Sequence, residues 1–91
     1  MNLIALQIKT NSNFQDNLNH MKDLINSCEE DSLILAPELA LSGFSYTRMQ
    51  EASGFSLIAI EELKNISINK IIVVTVVTKK DSGFFNTLYI L

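Results

Sequence analysis

The 91 residues hold at most one small domain, and a domain of that size buries a smaller share of its surface than an ordinary enzyme does. With 47% hydrophobic and 19% charged residues the composition excludes a disordered tail and is apolar for its length. A formal net charge of −3 leaves no basic footprint, which argues against nucleic acid and anionic membrane surfaces as partners; small molecules and protein surfaces remain.

Cys28 is the one cysteine, so there is no internal disulfide framework, and with the lone His20 it makes no metal-ligand cluster; no cofactor is expected. A reducing cytoplasm fits this usage. Met1-Asn2-Leu3-Ile4 opens with no basic region or small-residue cleavage site, and no apolar run approaches the length of a membrane span, so the chain reads as unexported and cytoplasmic.

Asn2 to Lys9 predicts a central strand, with Leu3, Ile4, Ala5, Leu6 and Ile8 apolar and Thr10 to Asn13 as its exit loop. Ser12 followed by Gln15 fits a capping box, and Asp16 complements the dipole of the helix it opens. Phe14, Leu18, Met21, Ile25 and Cys28 recur at helical spacing beside Leu24, with Asn17, Asn19, Lys22 and Asp23 toward water and His20 off the stripe. Cys28 therefore reads as a packing residue without a partner base, and His20 as a solvated one. The acidic run Glu29-Glu30-Asp31 opposes the dipole and ends the helix.

Leu33 to Ala36 is a short continuous apolar run, the pattern of a strand buried on both faces, and Pro37 lacks the N–H to extend its ladder. Glu38 thus falls at the strand's carboxyl end, where open α/β sheets bind ligands, with Leu39, Ala40 and Leu41 expected to desolvate it in part. Read from the residues alone, a strand-end glutamate that points to solvent or is satisfied by backbone N–H groups explains Glu38 as well.

Ser45 to Ser56, interrupted by Gly54, predicts a loop with a frayed turn over Arg48 to Ala52. Ser53 or Ser56 then caps a second helix reaching about Asn65, with Leu57, Ile60, Leu63 and Ile66 buried and Glu61, Glu62 and Lys64 outside. Asn65-Ile66-Ser67 matches a glycosylation sequon, an accidental match without a secretory signal. Lys70 to Thr78 is β-branched almost throughout and predicts a strand covered on both faces; Lys79 to Gly83 is a turn, and Phe84 to Leu91 a strand antiparallel to it. The fold class is α/β, in the order β-α-β-α-β-β. An end at Tyr89-Ile90-Leu91, inside an apolar strand, fits the front portion of a larger domain, or a terminal strand that docks into a partner.

The run Leu33 to Tyr46, with Pro37-Glu38, three apolar residues, Ser42-Gly43 and an aromatic, resembles the segment bearing the catalytic glutamate of the nitrilase, or carbon–nitrogen hydrolase, superfamily. Asn2 to Ile8, with Gln7, is similar to that family's opening strand, Asn17-Leu18 to the Asn-Leu of its first helix, Ile71 to Thr75 to its next buried strand, and Phe85-Asn86-Thr87-Leu88-Tyr89-Ile90 to its aromatic-Asn-Thr strand. Phe44 stands where the family often has tyrosine.

The resemblance implies that residues 1–91 are the N-terminal part of one domain, a four-layer α-β-β-α sandwich that hydrolyses a small amide or nitrile at a Glu-Lys-Cys site. Glu38 matches the general base. Lys79 and Lys80 precede the Asn86 strand and Cys28 precedes Glu38, so none matches the family's lysine or nucleophile, and the isolated chain is expected to be inactive. Tyr46 is placed to line the substrate pocket. The implied partners are the substrate and the remainder of the domain or another copy of the chain, with a homo-oligomer at full length. The rival reading is a non-enzymatic α/β module that docks through its apolar terminal strand.

Overall fold

Residues 1–44 and 46–91 are described by a computed structural model; the predicted loop begins at Ser45, which lies outside the described residues. The elements are β1 (Asn2–Ala5), α1 (Phe14–Ser27), β2 (Ser32–Leu35), a 3-10 turn (Tyr46–Arg48), α2 (Met49–Ile66), β3 (Lys70–Lys80) and β4 (Gly83–Ile90). They form an α/β fold with a four-stranded mixed sheet in the order β1-β2-β3-β4, the first three strands parallel and β4 antiparallel to β3. No helix among the described residues is long and apolar enough to cross a membrane.

β1 is an edge strand among the described residues, not a central one, and it is shorter than its apolar run. Its partner is β2, whose ladder is cut short by Pro37, so the last bond runs from the Leu6 N–H to the Leu35 carbonyl at 2.8 Å. Lys70 to Lys80 exceeds the predicted strand by two residues, because β4 pairs with it out to Lys80–Gly83 across a two-residue turn. Asp81 takes the positive φ that such a tight hairpin demands.

α1 is capped by Asn13, whose side chain accepts the Asp16 N–H at 3.0 Å, and not by Ser12. The Asn11 side chain in turn accepts the Asn13 N–H, which fixes the cap one residue later than the Ser12–Gln15 spacing indicated. Asn13→Ala should therefore lower stability by about 1 kcal/mol in urea unfolding while Ser12→Ala leaves it nearly unchanged.

The larger revision is α2. Met49 to Ser56 is helical rather than loop, entered through the 3-10 turn with no side-chain cap. Ser53 and Ser56 bond back to the carbonyls of Gln50 and Ala52 inside the helix instead of capping it. Gly54 faces open space, where a helical glycine costs only about 1 kcal/mol relative to alanine. The buried face shifts accordingly: Ala52, Ser56, Ala59, Ile60 and Leu63 turn inward and Leu57 is exposed.

Both helices cover the same side of the sheet. Leu18, Met21 and Ile25 from α1 and Ala59, Ile60 and Leu63 from α2 enclose Ile34, Ile72, Val74 and Val76 in one core. Full burial of each large side chain contributes roughly 1.5–3 kcal/mol. The strands are therefore not buried on both faces. On the other side the registers align Leu3 with Leu33 and Ile71, and Leu35 with Val73 and Ile90, in rows that carry no helix. Leu35 is 46% exposed and Ile90 70%.

Candidate functional site

The β2 ladder ends where the Ala36 N–H donates to the Val73 carbonyl at 3.0 Å; Pro37 has no N–H to continue it, and the chain turns. Within that turn the Ala40 N–H donates to the Pro37 carbonyl, and the Ser42 and Gly43 N–H groups donate to the Leu39 carbonyl. The geometry requires positive φ at Leu39 (49°) and Gly43 (68°). Glycine adopts this freely, whereas a leucine there costs at least about 1 kcal/mol.

Neighbouring elements offset that cost. The Leu39 N–H donates to Thr75 Oγ1 of β3 at 2.8 Å, and the Leu39 side chain, 5% exposed, packs with Phe14, Ala52 and Val77. Thr10 Oγ1 donates to the Ala40 carbonyl at 2.6 Å, and Asn17 Nδ2 of α1 to the Leu41 carbonyl at 2.8 Å. Asn17 is accordingly buried, not turned toward water; it also accepts the Asn11 N–H and donates to the Asn11 carbonyl.

Glu38 stands on this turn at the carboxyl end of β2, as its sequence position indicated. Its Oε1 accepts a hydrogen bond from Asn86 Nδ2 of β4 at 2.5 Å. The carboxylate is exposed, because Leu39, Ala40 and Leu41 point into the core rather than around it. Among the described residues no cation forms an ion pair with Glu38. One of its oxygens is thus held by a neutral side-chain donor.

The structure brings Asn86 to the Glu38 carboxylate and Thr75 to the N–H of the following Leu39, and the strand patterns singled out neither for such a contact. Asn86 carried the available signal, since asparagine is depleted in strands and calls for a partner. Tyr46 is 81% exposed at the start of the 3-10 turn. Cys28 is half-buried against the core with Sγ on the Leu24 carbonyl, and His20 is exposed. Lys79 bonds Gln50 at the start of α2, since strand twist turns the hairpin tip toward that helix.

Neither of two surface concavities includes Glu38 or Tyr46. One, of about 280 Å³, lies at the amino ends of the strands between Met1, Asp31 and Lys70. The other, of about 460 Å³, lies between the starts of the two helices, where the Arg48 guanidinium sits 4.0 Å over the Phe14 ring. Arg48 donates to both Glu51 oxygens at 2.8 and 2.9 Å and to the Ser12 carbonyl at 2.6 Å. This fork clasps the two helix starts together.

The hydrogen bonds from Arg48 hold the Glu51 carboxyl below its ordinary range and, reciprocally, raise Arg48. A carboxyl whose pKa is lower folded than unfolded adds stability above its unfolded pKa, and that increment disappears as pH falls through the folded one. Glu51→Gln should flatten that part of the acid limb in urea unfolding, and by a small amount because the pair is exposed.

The class defined so far is an α/β domain with one helix-covered sheet face and a carboxylate-bearing turn at the carboxyl end of a parallel strand. No family model, curated protein or solved structure matches the chain.

Proposed function

We propose that this chain is the glutamate-bearing N-terminal part of a carbon–nitrogen hydrolase of the nitrilase type, acting on a small amide or nitrile. In this reading Glu38 takes the proton of a cysteine thiol as the thiolate attacks the carbonyl or nitrile carbon, and a lysine ammonium steadies the tetrahedral intermediate. For an amide, Glu38 returns the proton to the departing nitrogen. It then takes one from the water that cleaves the thioester. The lysine and cysteine belong to a polypeptide that completes the domain, and its second sheet covers the helix-free face to make the four-layer sandwich.

The observation that carries the reading is the turn itself. Contacts from the Thr10 loop, α1, β3 and β4 hold the backbone of Leu39, Ala40 and Leu41 and one carboxylate, with a leucine kept at positive φ beside that carboxylate. Costly backbone conformations persist where surrounding structure over-determines them, and they cluster at functional sites. The exposed row of Leu35, Leu88 and Ile90 supports the second sheet layer.

That same row favours the rival reading, a docking module without catalysis. Mixing the chain with the lysine- and cysteine-bearing remainder of a carbon–nitrogen hydrolase domain separates the two. Turnover of small amides that neither part shows alone supports the hydrolase; a folded, associated, inactive mixture supports the module.

A further inference from the structure

Resting on the hydrolase reading, we propose that Asn86 is a positioning residue for Glu38. The side-chain amide of Asn86 occupies Oε1 and so presents Oε2 as the proton-accepting oxygen. The register of the β3–β4 hairpin sets this up. Asn86 pairs with Val77, and Thr75, two residues earlier on the same side of β3, accepts the Leu39 N–H. One hairpin therefore holds both the backbone after Glu38 and the carboxylate itself.

The chemistry of the donor fits the task. An amide N–H holds an oxygen without delivering a charge, whereas an ammonium or guanidinium at that position would compete for the carboxylate with the lysine the reaction requires. A free glutamate side chain samples many rotamers, and only some present an oxygen to the reacting thiol. Fixing one oxygen removes that search before substrate arrives. Asn86 has no strand propensity to account for its place between Phe85 and Thr87, and its side chain makes no other hydrogen bond among the described residues.

The experiment is a double-mutant cycle in the complemented enzyme, read as kcat and KM for a small amide. Asn86→Leu, which keeps the branched skeleton and loses the donor, should lower kcat about 30-fold with KM within about twofold. In a Glu38→Gln background the same substitution should leave kcat unchanged, because holding that side chain matters to the rate only when it can accept the proton. A merely structural role would instead lower the rate equally in both backgrounds. Should Asn86→Leu unfold the chain, Asn86→Thr, a strand former too short to reach Glu38, replaces it. In the chain without its complement, the Asn86 side-chain amide proton resonance should move between the natural sequence and Glu38→Ala.

An unchanged kcat, an equal loss in both backgrounds, or an Asn86 amide resonance indifferent to Glu38 overturns the positioning role while leaving the hydrolase intact. An inactive mixture of unaltered parts removes the hydrolase reading and the role with it, whatever the resonance does.

Discussion

Glu38→Gln is expected to lower amide turnover by the complemented enzyme about a thousandfold while leaving KM and the unfolding midpoint nearly unchanged. The substitution is close to isosteric, and the glutamine carbonyl oxygen still accepts from Asn86 Nδ2, so the turn keeps its anchor on β4. What disappears is the carboxylate that the proposed mechanism uses as its proton acceptor. On the proposed mechanism the residual rate would be that of binding and of charge stabilisation by the complementing part's lysine. Steady-state kinetics on small amides, with urea unfolding as the control, check both halves of the expectation.

Asn17→Leu is expected to cost about 3 kcal/mol of folding stability, a large share of the 5–15 kcal/mol available to a small domain. Asn17 is 3% exposed and makes three hydrogen bonds, at 3.0 Å from the Asn11 N–H, 2.9 Å to the Asn11 carbonyl and 2.8 Å to the Leu41 carbonyl. Leucine keeps the branched skeleton, somewhat bulkier, and leaves all three groups without a protein partner. Water can reach those of exposed Asn11, while the Leu41 carbonyl lies in the buried part of the turn, so the cost falls short of three full penalties. Releasing Leu41 also loosens the turn under Glu38, so turnover should fall with stability. Asn19→Leu, on the exposed side of the same helix, should stay within about 0.5 kcal/mol of the unaltered chain in urea unfolding.

The contrast between Asn17 and Asn19 shows what the sequence could and could not convey. Helical spacing identified Phe14, Leu18, Met21 and Ile25 as a buried stripe, and they are buried. It also grouped Asn17 with Asn19, because periodicity assigns a polar residue at the stripe's margin to water. Only the arrival of Leu41, 24 residues later, supplies the carbonyl that draws Asn17 inward. Non-local partners of this kind leave no mark in a local pattern.

Element order and the antiparallel final pair were legible for the complementary reason: β-branched runs and turn residues carry that information locally. The start of α2 was not, since Gly54 and the surrounding serines have loop composition. The helix there is held by tertiary contacts, with Ala52 buried and Arg48 clasped to Glu51 and Ser12. Burial of β2 and β3 was overstated on one side. A fully apolar strand reads the same whether its second face is covered by its own chain or left with Leu35 and Ile90 exposed. The position of Glu38 at the end of β2 followed from Pro37. Its bond to Asn86 required the β3–β4 register, fixed 48 residues away.

Ammonia release from a panel of small aliphatic amides and nitriles, by this chain mixed with the lysine- and cysteine-bearing remainder of a carbon–nitrogen hydrolase domain, tests the central claim most directly. The expected result is release that rises with added chain to an equimolar end point and vanishes when Glu38 is replaced by Gln. Release that persists undiminished with Glu38→Gln, or none from a mixture whose two parts demonstrably associate, would contradict the assignment of Glu38 as the proton acceptor of such an enzyme.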